Sequence, residues 1–86
     1  MAELGIDNAL IPDGSVAVDI TSTDHTCHAR CVALEIGGAG DVKYDMAGEG
    51  TGLTLTVPAG KTLVGRFSKV HKTGTTATNI MEFYRK

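Results

Sequence analysis

The residues best suited to chemistry lie in one short cluster between His25 and Cys31, with the sequence HTCHARC. Imidazole nitrogen and thiolate sulfur are ligands that zinc prefers, so a metal site could be built from His25, Cys27, His28 and Cys31. Strong zinc motifs combine two separated ligand pairs, however, and the only further histidine is the distant His71. In an extended strand, Cys27 and Cys31 would lie ~13 Å apart, too far for one metal ion or one disulfide. The spacing therefore predicts no metal and no cofactor, and a metal- or ligand-binding module remains the alternative.

The simpler interpretation of the cluster is that its residues have a structural role and no chemical one. Cys31 would pack as a small apolar residue, and the histidines would lie in a loop. Thiol catalysis needs a base beside the cysteine and a third group that orients the base, and 86 residues leave little room for a cleft around such a set. The segment Gly60-Lys61-Thr62 ends like a phosphate-binding loop, but Leu55 stands where that motif requires its first glycine. We therefore expect a protein that is not an enzyme.

Composition and net charge further limit the kinds of protein that this chain can be. A chain of 86 residues with 42% hydrophobic residues is long enough for one folded domain, though with a modest core. The net charge is -2, with acids and bases mixed along the chain, which does not favour nucleic-acid binding. We also expect no membrane span and no signal peptide, because the chain lacks apolar runs of the needed length. These features predict a protein made in a cytoplasm.

Apolar and polar residues alternate in several segments, which is the pattern of half-buried strands. The predicted inward sets are Val16, Val18 and Ile20; Val32, Leu34 and Ile36; Val42, Tyr44 and Met46; and Leu53, Leu55 and Val57. A longer strand from Thr62 to Val70 follows, and a closing strand from Ile80 to Tyr84 carries Met81 and Phe83 on one face. The prediction is an all-β fold, a small antiparallel β-sandwich or barrel of about six or seven strands. It comprises a single domain over residues 15–86, preceded by an arm or edge segment over residues 1–14.

Glycine, proline and threonine mark the connections between these strands. Gly37, Gly38 and Gly40 are typical of a hairpin turn, and Gly60 closes a turn with Pro58 at its first central position. The segment from Thr73 to Asn79 offers hydroxyl and amide groups without charge, which suits a side-chain-stabilised turn, a contact loop between subunits, or both.

The order of these motifs carries a resemblance. It runs from Arg30 and an apolar strand to Gly37-Gly38-Ala39-Gly40-Asp41, then Val57-Pro58-Ala59-Gly60, then Thr73-Gly74-Thr75-Thr76-Ala77 before a last apolar strand. Over about residues 15–84 this resembles the head spike base protein family of gene transfer agents and tailed phages. The resemblance implies a small all-β subunit on the capsid exterior, in a closed oligomer that caps the shell or holds a spike or fibre. The cluster from His25 to Cys31 is not part of that pattern.

The leading hypothesis is therefore a non-enzymatic virion protein, a spike base or a decoration subunit. Its expected partners are further copies of itself and a major capsid, spike or fibre protein, and its expected location is the virion. The predicted interface residues are Thr73, Gly74, Thr75, Thr76, Thr78 and Asn79.

Overall fold

The computed structural model describes residues 11–86, which form eight β-strands and no helix. The strands are β1 (Gly14–Ala17), β2 (His25–Thr26), β3 (Cys31–Gly38), β4 (Gly40–Met46), β5 (Leu53–Val57), β6 (Lys61–Val64), β7 (Phe67–Val70) and β8 (Thr78–Tyr84). The all-β prediction is confirmed, with eight strands rather than six or seven. Of the predicted segment 1–14, residues 1–10 lie outside the described part of the chain, and Gly14 opens β1.

The strands form a sandwich of two four-stranded sheets, ordered β1-β8-β3-β6 and β2-β7-β4-β5. All pairings are antiparallel, and β1 pairs with β8, β2 with β7, β3 with β6 and β4 with β5. The chain is thus one long hairpin with its tip between β4 and β5. Rolling this hairpin adds the pairings of β3 with β8 and of β4 with β7. This is the strand order of an eight-stranded jelly roll.

The rolled topology changes the meaning of the turns. Only the β4–β5 connection stays within a sheet among the eight described strands, so the predicted hairpin at Gly37–Gly40 is instead a crossing from β3 in one sheet to β4 in the other. At the next crossing, the amide of Lys61 bonds to the carbonyl of Pro58, which places Ala59 and Gly60, rather than Pro58, at the centre of the turn. Gly60 has a φ of 83°, as a type II turn requires at that position.

The predicted long strand from Thr62 to Val70 is two strands in different sheets. It breaks at Gly65 and Arg66, between β6 and β7. The amide of Gly65 bonds to Val32 in the first sheet, and the carbonyl of Arg66 accepts from Ala47 beside the second. The break therefore closes one end of the sandwich.

The core lies between the sheets and is mostly aliphatic. Its buried residues are Cys27, Cys31, Leu34, Ile36, Val42, Val57, Leu63, Phe67, Val70, Ala77 and Ile80. Most predicted inward sets contribute, but Cys31 takes the place expected for Val32 because the register of β3 against β8 shifts between Cys31 and Ala33. The prediction that Cys31 packs in the core is confirmed.

Three residues predicted to face inward are substantially exposed, namely Val16, Leu53 and Leu55. All three lie on edge strands, β1 or β5, where no further strand within residues 11–86 covers the rim of the core. No helix within residues 11–86 has the length and apolar character needed to cross a membrane.

Candidate functional site

A carboxylate lies inside the sandwich. Glu82 is on β8, a central strand of the first sheet, and its side chain is fully buried. The sequence places Met81 and Phe83 on one face of this strand, but the alternate face with Ile80 and Glu82 points inward. The signal that could have found Glu82 is its position two residues after Ile80, because strand alternation places both on one face.

Both oxygens of Glu82 have partners. Oε1 lies 2.6 Å from Nε2 of His25, and Oε2 accepts a hydrogen bond of 2.7 Å from the backbone amide of His28. A buried carboxylate is costly unless it is paired and hydrogen-bonded, and here both conditions are met. Because His25 is on β2 and Glu82 on β8, the contact joins the two sheets.

The two cysteines meet beside this pair. A turn after β2, closed by the bond from the Cys31 amide to the His28 carbonyl, reverses the chain. This turn brings the side chains of Cys27 and Cys31 close enough to interact, so the ~13 Å separation expected for an extended segment is wrong. Interaction with the Cys31 thiol, burial and the nearby charge of Glu82 together raise the pKa of Cys27, which keeps it a thiol. A protonated, buried cysteine is a poor nucleophile.

The four predicted ligand residues are not all brought together. A ring nitrogen of His25, Cys27 Sγ and a Glu82 oxygen lie within 4.8 Å of one another, whereas Cys31 lies outside this group. His28 instead lies at the surface, where its ring stacks on Tyr84 at 4.3 Å between centroids. Its Nδ1 accepts a hydrogen bond from the Arg30 amide. Of the four predicted ligands, the group of donor atoms thus keeps His25 and Cys27, omits His28 and Cys31, and adds Glu82.

The threonine-rich loop completes the second sheet. Strand β7 pairs with β4 only over Tyr44 to Met46, so the amides at the start of β4 need other acceptors. The hydroxyl of Thr75 accepts from the amide of Lys43, and the hydroxyl of Thr76 accepts from the amide of Asp41. These two hydroxyls bond to β4 rather than to the backbone of their own loop, and the turn interpretation of the segment remains a prediction. The rest of the predicted interface, Thr73, Gly74, Thr78 and Asn79, is exposed, and its contact role remains a prediction.

His71 belongs to a separate polar group. Its Nε2 lies 2.8 Å from Oδ1 of Asp45, which also accepts a 2.7 Å hydrogen bond from the amide of Gly52. These contacts tie the β4–β5 hairpin to the end of β7. They lower the pKa of Asp45 below its ordinary value of 3.8, chiefly through the bond to His71.

The lowered pKa of Asp45 predicts a pH effect on stability. A carboxyl whose pKa is lower in the folded state than in the unfolded state stabilises the fold fully at about pH 5 and above. This stabilisation is lost as the pH falls through the folded-state pKa. We expect Asp45→Asn to lose less stability than the wild type between pH 5 and pH 3, measured by urea unfolding. Glu49→Gln removes a charge from the same hairpin loop and is the control, so equal slopes for the two variants would contradict the prediction.

An apolar groove of about 380 Å³ opens between the edge strands β5 and β6. Its apolar lining includes Tyr44, Met46, Leu55, Leu63, Val64 and Phe67. Leu55 is 41% exposed and Val64 is 78% exposed, which is unusual for two large apolar residues on neighbouring strands of so small a domain.

A smaller pocket of about 210 Å³ lies where three arginines meet the ends of β3 and β6. Arg30 donates to the carbonyl of Lys86, Arg66 to that of Ala29, and Arg85 to that of Ile11. Their guanidinium groups thus fasten the C-terminal end of the chain and the segment before β1 to the sandwich.

Comparison of the chain with protein-family models, with curated proteins and with solved structures found no match.

Proposed function

We propose that this chain is a non-enzymatic virion protein of a tailed phage or gene transfer agent, a spike base or decoration subunit that assembles with copies of itself on the capsid exterior. The observation that carries the proposal is the apolar groove between β5 and β6. Exposed apolar residues on edge strands favour association, because such strands also present unpaired backbone groups.

Two further observations support the proposal. The turn motifs at Gly37–Asp41, Val57–Gly60 and Thr73–Ala77 follow the order found in the head spike base family. Jelly rolls occur in viral capsid proteins, but also in lectins and cupins, so the fold agrees with the proposal without selecting it. The second copy is the occupant that we propose for the groove, with the exposed part of the Thr73–Asn79 loop as a further contact.

The edge strands β5 and β6 carry few charged residues that would oppose such association. Natural edge strands often carry lysine or proline that discourages pairing. In β5, which reads LTLTV, every residue is uncharged, and β6 carries a single lysine at Lys61. In a monomer, the uncharged edge of β5 and the neighbouring apolar groove would therefore both be exposed to water.

The test is the mass of the protein in solution, measured by native mass spectrometry and by light scattering. We expect a discrete oligomer for the wild type and a shift to monomer for Leu55→Lys and Val64→Lys. Val16→Lys is the matched control, because Val16 is also an exposed valine on an edge strand, with 42% exposure, but lies on β1 at the other edge of the first sheet. Loss of the oligomer in all three variants alike would contradict the assignment of the interface.

Particles from the source host provide the second arm. Mass spectrometry of purified phage or gene transfer agent particles should find the chain at a fixed ratio to the major capsid protein. A wild-type monomer that is absent from such particles would overturn the virion proposal.

The alternative from the sequence, a small metal- or ligand-binding module, depends on a different part of the molecule. The observation that favours it is the convergence of His25, Cys27 and Glu82 between the sheets. It predicts a monomer with bound metal, whereas the virion proposal requires an oligomer whether or not metal is bound. The same native mass spectra therefore separate the two candidates.

A further inference from the structure

We propose that His25, Cys27, Cys31 and Glu82 bind a zinc ion between the two sheets and that this ion fastens the sandwich. This inference is independent of the assembly proposal and departs from the expectation that the chain has no metal. It starts from the three donor atoms of His25, Cys27 and Glu82, which lie within 4.8 Å of one another. Ligands about 2.0–2.3 Å from a tetrahedral zinc ion are roughly 3.3–3.8 Å apart, so His25 Nε2 and Glu82 Oε1, which lie 2.6 Å apart, would have to separate slightly to admit the ion.

The fourth ligand is Cys31. Its thiol lies outside the group of three donor atoms but interacts with the thiol of Cys27, and both cysteines are free and buried. Three residues separate the two cysteines, a spacing within the range of zinc sites, and the turn between them reverses the chain. Zinc binding would bring the Cys31 sulfur to the ion, release both thiol protons and form two metal–sulfur bonds.

The donor set selects the metal. Two thiolates, one imidazole and one carboxylate suit zinc, whereas magnesium and calcium prefer oxygen ligands alone. The carboxylate also has the support that zinc ligands usually receive, since its second oxygen accepts the hydrogen bond from the His28 amide.

The location explains what the ion would do. Strand β2 has only two residues and is held to β7 by two residue pairs, the shortest pairing in the molecule's described part. His25 and Cys27 lie on and beside β2, while Cys31 and Glu82 lie on β3 and β8 of the opposite sheet. One zinc ion would therefore join the least supported strand to two strands across the core. Small domains often gain stability from such a metal.

The test is zinc stoichiometry of the purified chain, measured by native mass spectrometry after chelation and stepwise addition of zinc. We expect one zinc ion per chain in the wild type. Removal of a ligand should weaken binding by more than the about 10–100-fold typical of supporting residues, so Cys27→Ser and Glu82→Gln should lose the ion under the same conditions.

His28→Ala is the matched control. It removes a histidine from the same sequence cluster that the geometry leaves outside the site, so it should keep zinc. Loss of zinc in His28→Ala together with retention in Glu82→Gln would overturn the assignment, and so would a folded wild type that binds no zinc at micromolar concentration.

Cobalt(II) gives a readout on the wild type that does not depend on whether a variant folds. A tetrahedral site with two thiolates should produce a near-ultraviolet sulfur-to-cobalt band and strong visible bands, and zinc should displace them at one equivalent per chain. Absence of the sulfur-to-cobalt band would exclude the cysteines as ligands and overturn the proposal.

Discussion

Replacing Glu82 with alanine is expected to lower the free energy of unfolding by about 3–5 kcal/mol, because removal of one partner of a buried pair leaves the other partner buried without its compensating interaction. In this variant the ring of His25 and the amide of His28 would both lose their acceptor inside the sandwich. Domains of this size have a total stability of about 5–15 kcal/mol, so the loss would be a large fraction of it. Urea unfolding followed by circular dichroism measures the change.

Two comparisons make the result specific to the buried pair. Glu82→Gln keeps an oxygen that can accept from the His28 amide, so its loss should be smaller than that of Glu82→Ala. Glu35→Ala removes an exposed glutamate from β3 and should stay within about 0.5 kcal/mol of the wild type. Measurement in chelator separates the pair from any bound zinc. A Glu82→Ala variant as stable as Glu35→Ala would contradict this account of the core.

The strands themselves could be predicted from local alternation. The set Val42, Tyr44 and Met46 matches β4, and Leu34 and Ile36 lie in the core as the pattern indicates. Alternation reports one strand at a time, however, and not which sheet receives it. Alternation therefore predicts a hairpin at Gly37–Gly40 and a single strand over Thr62–Val70. In the structure, each of these segments crosses from one sheet to the other.

The candidate site was harder to predict, for a related reason. The cluster from His25 to Cys31 is visible because its members are close in sequence, whereas Glu82 reaches it only through the pairing of β3 with β8. An extended chain between Cys27 and Cys31 would place the two thiols too far apart to share a metal ion, but the turn between them shortens that distance. Long-range strand pairing and a local reversal are properties that spacing along the chain does not report.

The sequence indicates that position 40 requires glycine, but it does not show that part of the reason is close contact with the threonine-rich loop. Both a hairpin and a sheet crossing favour glycine there, since Gly40 has a φ of 153°. The crossing adds a second demand, because a Cβ on Gly40 would lie 2.6 Å from the backbone nitrogen of Ala77 and 2.8 Å from the carbonyl carbon of Thr76. The threonine-rich loop thus passes directly over this residue.

Gly40→Ala is accordingly expected to cost about 3 kcal/mol or more. The unfavourable φ accounts for about 1–3 kcal/mol, and displacement of the loop would weaken hydrogen bonds worth about 1 kcal/mol each. The bonds at risk are those from the amides of Thr76 and Ala77 to the carbonyl of Asp41, and the one from the Asp41 amide to the Thr76 hydroxyl. Faster hydrogen exchange at the Asp41 and Lys43 amides should accompany the loss of stability.

Two other glycines separate the φ penalty from the contact with the loop. Gly60 has a φ of 83° but open space where a Cβ would stand, so Gly60→Ala should cost only about 1–2 kcal/mol. Gly48 has open space and a φ outside the left-handed region, so Gly48→Ala should be neutral or up to about 1 kcal/mol more stable than the wild type. The expected order of unfolding free energies is Gly48→Ala highest, then Gly60→Ala, then Gly40→Ala. Equal losses in the Gly40 and Gly60 variants would mean that the loop does not press on Gly40, and the interpretation of Thr75 and Thr76 as substitutes for a strand partner would fail with it.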